Sequence, residues 1–196
     1  MKYSATSFYD RIAFLYPLIN YFLKGHRKEL ISEVNTALYG NLLEIGIGNG
    51  CHLPLYGTHK ITGIDISEAM LGKAKRFKKE NVELLIMNGE QLVFQDCSFD
   101  YVVISHVLAV AQNPNKLLDE VHRVLKPGGK LFVLNHFTPD NSLKYIDMVL
   151  QPLSSLFHFK SLFYMRDVHR FNKFTLLKQK DLGTFAYIKL LIFRKP

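Results

Sequence analysis

Five short aliphatic runs, separated by loops and by stretches with helical spacing, lie between Leu42 and Phe137. They are Leu42-Leu43-Glu44-Ile45, Ile61-Thr62-Gly63-Ile64-Asp65, Val82-Glu83-Leu84-Leu85-Ile86, Tyr101-Val102-Val103-Ile104 and Lys130-Leu131-Phe132-Val133-Leu134. Runs that are apolar on both faces read as parallel strands covered by helices. The spacing predicts one helix from the N-cap Ser67 to Lys79 and another from Asn115 to Leu125, closed by Pro127-Gly128-Gly129. Strand alternating with helix gives a doubly wound, mostly parallel α/β sheet. Right-handed crossovers put the strand C-termini on one edge, where ligands bind in open α/β sheets.

Two flanking segments complete the plan. Residues 6–38 read as a helical lid with breaks near Pro17 and Gly25 and with Phe8, Ile12, Leu15, Ile19 and Phe22 at helical spacing. Residues 142–165 are rich in Leu, Phe and Met, with Pro152 as a breaker. Phe171–Leu177 and Phe185–Phe193 read as two β runs joined through Lys180-Asp181-Leu182-Gly183, a hairpin closing the sheet. The expectation is one domain over 1–196: a lid over 1–38, a cofactor-binding core over 39–137, and a substrate-side helix and hairpin over 138–196.

Composition narrows the function. With 48% hydrophobic and 21% charged residues the chain is neither disordered nor collagen-like. Cys51 and Cys97 lack metal-ligand spacing, and the eight histidines form no H-E-x-x-H pair, so no metal is expected and a reducing cytosol is the simplest setting. No run of about 20 apolar residues is present, and Asp10 and Arg11 interrupt any signal-like start. The net charge of +8 favours a polyanion: nucleic acid, an anionic membrane surface or a phosphorylated substrate. The basic run Lys73–Lys79 sits on a helix of the outer wall and has no interleaved aromatic beyond Phe77, so it reads as a solvated face and nucleic acid is not expected.

The segment Glu44-Ile45-Gly46-Ile47-Gly48-Asn49-Gly50 carries the chemistry. A strand runs into three glycines at alternate positions, which allow positive φ and close approach of a ligand to the backbone. Asp65 ends the next strand, 21 positions after Glu44, where an acid takes the two ribose hydroxyls of an adenosine. The spacing G-x-G-x-G differs from the dinucleotide G-x-G-x-x-G, and the preceding acid disfavours a pyrophosphate. S-adenosylmethionine, with a sulfonium, an ammonium and no phosphate, suits that charge.

With Gly63-Ile64-Asp65-Ile66-Ser67, Ser98-Phe99-Asp100 and Arg123-Val124-Leu125-Lys126-Pro127-Gly128-Gly129, this segment resembles the class I S-adenosylmethionine-dependent methyltransferases over about residues 8–137. The resemblance implies a Rossmann-like seven-stranded sheet with an antiparallel last strand. It implies that Glu44, Gly46, Gly48 and Gly50 surround the methionine part of S-adenosyl-L-methionine, that Asp65 holds the ribose, and that Ile66 and Met70 border the adenosine. Asn88, Gly89 and Glu90 follow the third strand, where the family usually carries an acid facing the adenine amino group; the Asn88 amide oxygen can accept in its place. Ser105 completes the expected cofactor set.

The acceptor is read from the flanks. Phe8-Tyr9-Asp10-Arg11-Ile12-Ala13, Tyr16, Asn20, Gly25 and Arg27 look like the lid of the quinone C-methyltransferases and their phospholipid-methylating relatives. Cys51-His52-Leu53-Pro54-Leu55-Tyr56, Ser105-His106-Val107, Asn135-His136-Phe137 and Gln151-Pro152-Leu153-Ser154 are more similar to the soluble bacterial phosphatidylethanolamine N-methyltransferases. For such a substrate we expect Tyr9, Tyr16 and His106 to surround the reacting amine or its phosphate, His106 or a bound water to take the proton, and Arg27, His136 or Arg166 to neutralise the phosphodiester. C-methylation of a prenylated quinol, or of another small acceptor, is the alternative. His52, His59 and His122 read as surface or loop residues. The basic cluster Lys24, His26, Arg27 and Lys28 after an apolar helix fits a lid that also touches an anionic membrane, on the inner face of the cytoplasmic membrane. A lid without lipid contact fits the same residues. Oligomeric state stays open, a monomer included.

Overall fold

The computed structural model describes residues 16–138, 162–183 and 187–196, with side chains from Gly25 onward. Seven strands form one sheet: β1 (Asn41–Ile45), β2 (Lys60–Asp65), β3 (Val82–Ile86), β4 (Phe99–Ser105), β5 (Leu125–His136), β6 (Thr175–Leu182) and β7 (Ile188–Arg194). Their order is β3-β2-β1-β4-β5-β7-β6. β1 to β5 pair in parallel, and β7 runs antiparallel to both β5 and β6. The strand order reverses between β1 and β4, so the loops after these two strands diverge and open a crevice at the sheet's C-terminal edge.

Residue parity divides the core. Leu42, Val103, Phe132, Leu134, Leu190 and Ile192 face α1 (Tyr16–Asn35), which covers them with Leu30, Ile31 and Val34. Leu43, Ile45, Val102, Ile104, Leu131 and Val133 face α3 (Pro114–Val124), whose Leu117, Leu118, Val121 and Val124 form its buried stripe. The Asn113 side chain caps α3 by accepting the Lys116 N–H at 3.0 Å, and Pro114 occupies the first turn, where a missing donor costs nothing. On the same side of the sheet as α1, α2 (Glu68–Ala74) starts where the Ser67 hydroxyl accepts the Met70 N–H, and a 3₁₀ turn at Lys75–Phe77 ends it.

Several boundaries differ from expectation. No break occurs at Gly25: α1 runs through it, because the packing of Leu30, Ile31 and Val34 on the sheet outweighs the roughly 1 kcal/mol helix penalty of one glycine. Pro17 falls in that helix's first turn. The helix after β2 is shorter than Ser67–Lys79. The final hairpin is displaced: Phe171 belongs to a 3₁₀ turn (His169–Lys173), and Lys180, Asp181 and Leu182 are strand rather than turn. Cross-strand ionic contacts account for the longer strand, since Lys189 donates to Asp181 at 2.7 Å and Lys180 reaches Glu29 at 2.5 Å and Glu33 at 2.9 Å on α1. The expected substrate-side segment 142–165 lies mostly outside the described residues, as does Tyr9. The Tyr16 backbone opens α1, but its side chain is not among those described.

Candidate active site

The loop after β1 is fixed by its own backbone. Gly46, Gly48 and Gly50 have φ of 72°, 56° and 73°, in the left-handed region that side chains other than glycine's rarely adopt. The Gly46 and Ile47 N–H groups both donate to the Ile64 carbonyl, at 2.8 and 3.0 Å, which ties the loop to the end of β2. A Cβ on Gly46 would lie 2.3 Å from Val107 Cγ2. The segment after β4 therefore packs directly on the glycine loop, and the crevice gains both walls at once.

Asp65 is locked beside this loop. One carboxylate oxygen accepts the Gly48 N–H at 2.8 Å, the other accepts the Ser67 N–H at 2.9 Å, and each keeps lone pairs for a ligand. Burial pushes the Asp65 carboxyl up; the backbone donors oppose that shift and the charge of Glu44 adds to it. Ile66 is 47% exposed next to it, and Met70 is half-buried on α2. Asn88 turns its amide oxygen onto the Glu90 N–H at 2.9 Å, with a second lone pair remaining. Glu90 accepts the Asn113 N–H at 3.0 Å and so supports the loop before α3. A Cβ on Gly89 would meet Ile45 Cγ2 at 2.6 Å, so the backbone there presses on β1.

Glu44 differs from its expected orientation into the glycine loop. It shares the α1-facing side of β1 with Leu42 and is 1% exposed. Its carboxylate accepts from His52 Nδ1 at 2.5 Å and from the Tyr56 hydroxyl at 2.9 Å. His52 is correspondingly a buried site residue and no surface histidine. The signal was its spacing: eight residues after Glu44, one turn before Tyr56, beyond a glycine loop that folds the chain back. His59 is also buried, edge-on to Tyr101 at 5.2 Å, at the opposite end of the strands; His122 is half-buried against Phe174.

Parity also assembles the side on which the acceptor is expected. On the α1 face the ends of three adjacent strands turn polar, at Glu44, Ser105 and His136. His106 follows β4 with φ of 58°, a strained value for histidine, and its N–H donates to the Leu134 carbonyl at 2.7 Å. Arg27, His52, His136 and His26 lie close enough that their charges, after desolvation, lower the His106 pKa to about 3. Buried polar atoms without a hydrogen-bond partner among the described residues gather in this region: His26 Nδ1, His52 Nε2, Ser105 Oγ and His106 Nε2. Arg166 is placed differently. It stacks over Tyr164 at 4.1 Å in a turn hydrogen-bonded to Asn115 of α3, on the other face of the sheet from Arg27 and His136. Among the described residues no group of three or more ligating side chains could hold a metal.

The parallel sheet, its switch point, the glycine loop and an acid at the tip of β2 define a nucleoside-binding methyltransferase site. Residues 43–133 match the family described as "Methyltransferase domain". The chain is 30% identical over 174 residues, 83% of its length, to a phosphatidylethanolamine N-methyltransferase of Cereibacter sphaeroides, and the match spans 85% of that protein. It is 44% identical over 123 residues to a demethylmenaquinone methyltransferase of Staphylococcus aureus, covering 59% of this chain and 51% of that one. The solved structure of a Thermotoga maritima S-adenosylmethionine-dependent methyltransferase, described as a possible histamine N-methyltransferase, superposes with a TM-score of 0.73 at 21% identity, over 97% of this chain and 99% of that one. The chain belongs to the class I S-adenosylmethionine-dependent methyltransferases.

S-adenosyl-L-methionine is the cofactor, and the residues present fit it. The glycine loop puts no side chain in a ligand's way, and Asp65 offers two oxygens to vicinal hydroxyls beside it, a carboxylate that disfavours a diphosphate.

Proposed function

We propose that the chain N-methylates the ethanolamine headgroup of phosphatidylethanolamine, toward phosphatidylcholine. The observation that carries this reading is the concentration of basic groups around His106: Arg27, His52, His136 and His26 all act on it from the acceptor side of the crevice. A phosphodiester supplies the anion such a cluster binds, through Arg27 and His136 in particular. The extended similarity to a phosphatidylethanolamine N-methyltransferase supports the same choice. When bound, the cofactor supplies a methyl group already activated by a sulfonium.

The protein's work is then alignment, exclusion of water and removal of a proton. An alkylamine with a lysine-like pKa near 10.4 is only about one part in a thousand free base at pH 7. Desolvation and the basic cluster both favour the neutral amine. His106, kept neutral, borders the headgroup, with Tyr9 and Tyr16 proposed to complete its surroundings. The lipid is proposed to be met at an anionic surface through the basic cluster Lys24, His26, Arg27 and Lys28 in the middle of α1.

The second reading, C-methylation of a prenylated quinol, is favoured by the higher identity, over a shorter stretch, to the demethylmenaquinone methyltransferase. Incubation with methyl-labelled cofactor and vesicles of phosphatidylethanolamine, alongside vesicles carrying a demethylated quinol, separates the two. Label in mono-, di- or trimethylated phospholipid is expected; label confined to the quinol overturns the proposal.

A further inference from the structure

We propose that His52 is the proton acceptor for the substrate ammonium, with Glu44 and Tyr56 as its positioning residues; this rests on the N-methylation reading above. His52 is 4% exposed, and its Nδ1 lies 2.5 Å from Glu44 Oε1. Beside an ionised carboxylate Nδ1 carries the hydrogen, which leaves the lone pair on Nε2. That Nε2 is buried and has no hydrogen-bond partner among the described residues. Tyr56 donates to the second Glu44 oxygen at 2.9 Å, so the carboxylate cannot rotate without breaking a hydrogen bond at each end. A carboxylate behind an imidazole fixes the ring's tautomer and stabilises the imidazolium once it forms.

His106 has no such support. Its neighbours from α1, the glycine-loop side and β5 are all basic (Arg27 and His26, His52, His136), and burial adds to their effect, holding its pKa near 3. An imidazolium that acidic does not retain a proton taken from an ammonium. Facing His52 are Glu44 from β1, Tyr56 from the following 3₁₀ turn and the adjacent Cys51, together with His106 beyond β4; Arg27 acts on both Cys51 and His106.

In the step, the ammonium N–H bond breaks with its electron pair left on nitrogen, and the proton forms a bond to His52 Nε2. Glu44 balances the imidazolium, which later gives the proton to water. The freed nitrogen lone pair is then the nucleophile for methylation.

His52→Asn tests this, because the Asn amide replaces Nδ1 as donor to Glu44 and deletes Nε2. Affinity for S-adenosylhomocysteine by calorimetry is expected within about twofold of wild type, kcat on phosphatidylethanolamine vesicles about 10²-fold lower or less, and the acid limb of kcat/KM against pH lost. Glu44→Gln is expected to move that limb to lower pH, since the imidazolium loses its counter-charge. His106→Asn, which keeps a residue tolerant of positive φ, is expected to keep the limb. Long-range proton–nitrogen NMR of the cofactor-free protein is expected to show His52 protonated on Nδ1 only. An Nε2–H tautomer overturns the proposal. So does a His52→Asn enzyme with wild-type turnover, a limb that vanishes in His106→Asn instead, or a His52→Asn defect confined to S-adenosylhomocysteine affinity. Absence of labelled phospholipid from the wild type overturns both readings; label in wild type and in His52→Asn alike overturns only this one.

Discussion

The two walls of the crevice are built by different means. The cofactor wall, from β1 through β3, is mostly backbone: three glycines at positive φ, N–H groups tied to the Ile64 carbonyl, and one carboxylate held by the Gly48 and Ser67 amides. The wall proposed to receive the acceptor is made of side chains brought from separate places: His26 and Arg27 from α1, His52 from beyond the glycine loop, His106 from just after β4 and His136 from β5. A backbone site binds whatever has the right outline and is unforgiving of steric change. A side-chain site can be retuned residue by residue, so one cofactor site can serve different acceptors.

The largest expected effect tests whether the first wall is steric. Gly46→Ala introduces a Cβ 2.3 Å from Val107 Cγ2 at φ of 72°, whereas Gly128, at φ of 76°, has nothing within 4 Å of its Cβ position. The left-handed backbone alone costs roughly 1–2 kcal/mol and overpacking roughly 1–3 more. Urea unfolding is expected to show Gly46→Ala destabilised by about 3–4 kcal/mol and Gly128→Ala by about 1. Equal losses would mean that the φ matters and the contact with the β4 loop does not.

Asp65→Asn is expected to separate binding from stability on the same wall. An Asn keeps one oxygen for a backbone donor and relieves the buried charge, so the melting temperature should change little. Affinity for S-adenosylhomocysteine is expected to fall about 30- to 100-fold, the scale of a lost charged hydrogen bond of roughly 2–3 kcal/mol. Calorimetry checks it; unchanged affinity would take Asp65 out of the ribose site.

On the acceptor wall the corresponding signature is pH dependence. The His106 pKa is lowered from 6.5 to about 3, so the folded state binds fewer protons than the unfolded state between those values. The sign follows: this histidine's contribution to stability is complete above pH 6.5 and declines as pH falls toward 3. Going from pH 6.5 to pH 5 is expected to cost about 2 kcal/mol, and His106→Asn is expected to remove that part of the decline. An unchanged slope in the variant would place the titration elsewhere in the cluster.

The same contrast explains what could be read from residue order. The glycine loop, Asp65 and the Ser67 cap were legible because each is a local pattern whose geometry its neighbours set. The parallel sheet was legible because five runs are apolar on both faces. The roles of Glu44 and His52 were not. Whether a histidine is buried depends on a partner from another element, and Glu44 faces His52 only because the loop between them reverses the chain. The continuity of α1 through Gly25 was hidden for a related reason. The Leu30, Ile31 and Val34 packing that steadies it lies a turn or more away and is contributed by the sheet. Lys180 and Asp181 look like turn residues until α1 and β7 supply Glu29, Glu33 and Lys189 as partners.

The smallest effect concerns α1, which is fastened to both walls. Near its end Asn35 donates to the Leu55 carbonyl and accepts the Gly57 N–H, each at 2.9 Å, which ties it to the segment following the glycine loop. Two and six residues earlier, Glu33 and Glu29 pair with Lys178 and Lys180 of the hairpin. Lys178 and Lys180 hold the Glu33 carboxyl below its ordinary value of 4.5 despite the opposing effect of burial. This contribution is therefore present above pH 4.5 and is lost as pH falls below it. Lys178→Ala is expected to cost only about 0.5 kcal/mol near neutral pH, as exposed pairs do, and less at high salt. The informative readout is its reach: if α1 couples the walls, the variant should raise KM for the acceptor while leaving S-adenosylhomocysteine affinity unchanged. The hairpin ties lie toward the acceptor side and the Asn35 clasp remains intact. A loss of cofactor affinity instead would show that the helix transmits strain to the glycine loop, and that the two walls are one mechanical unit.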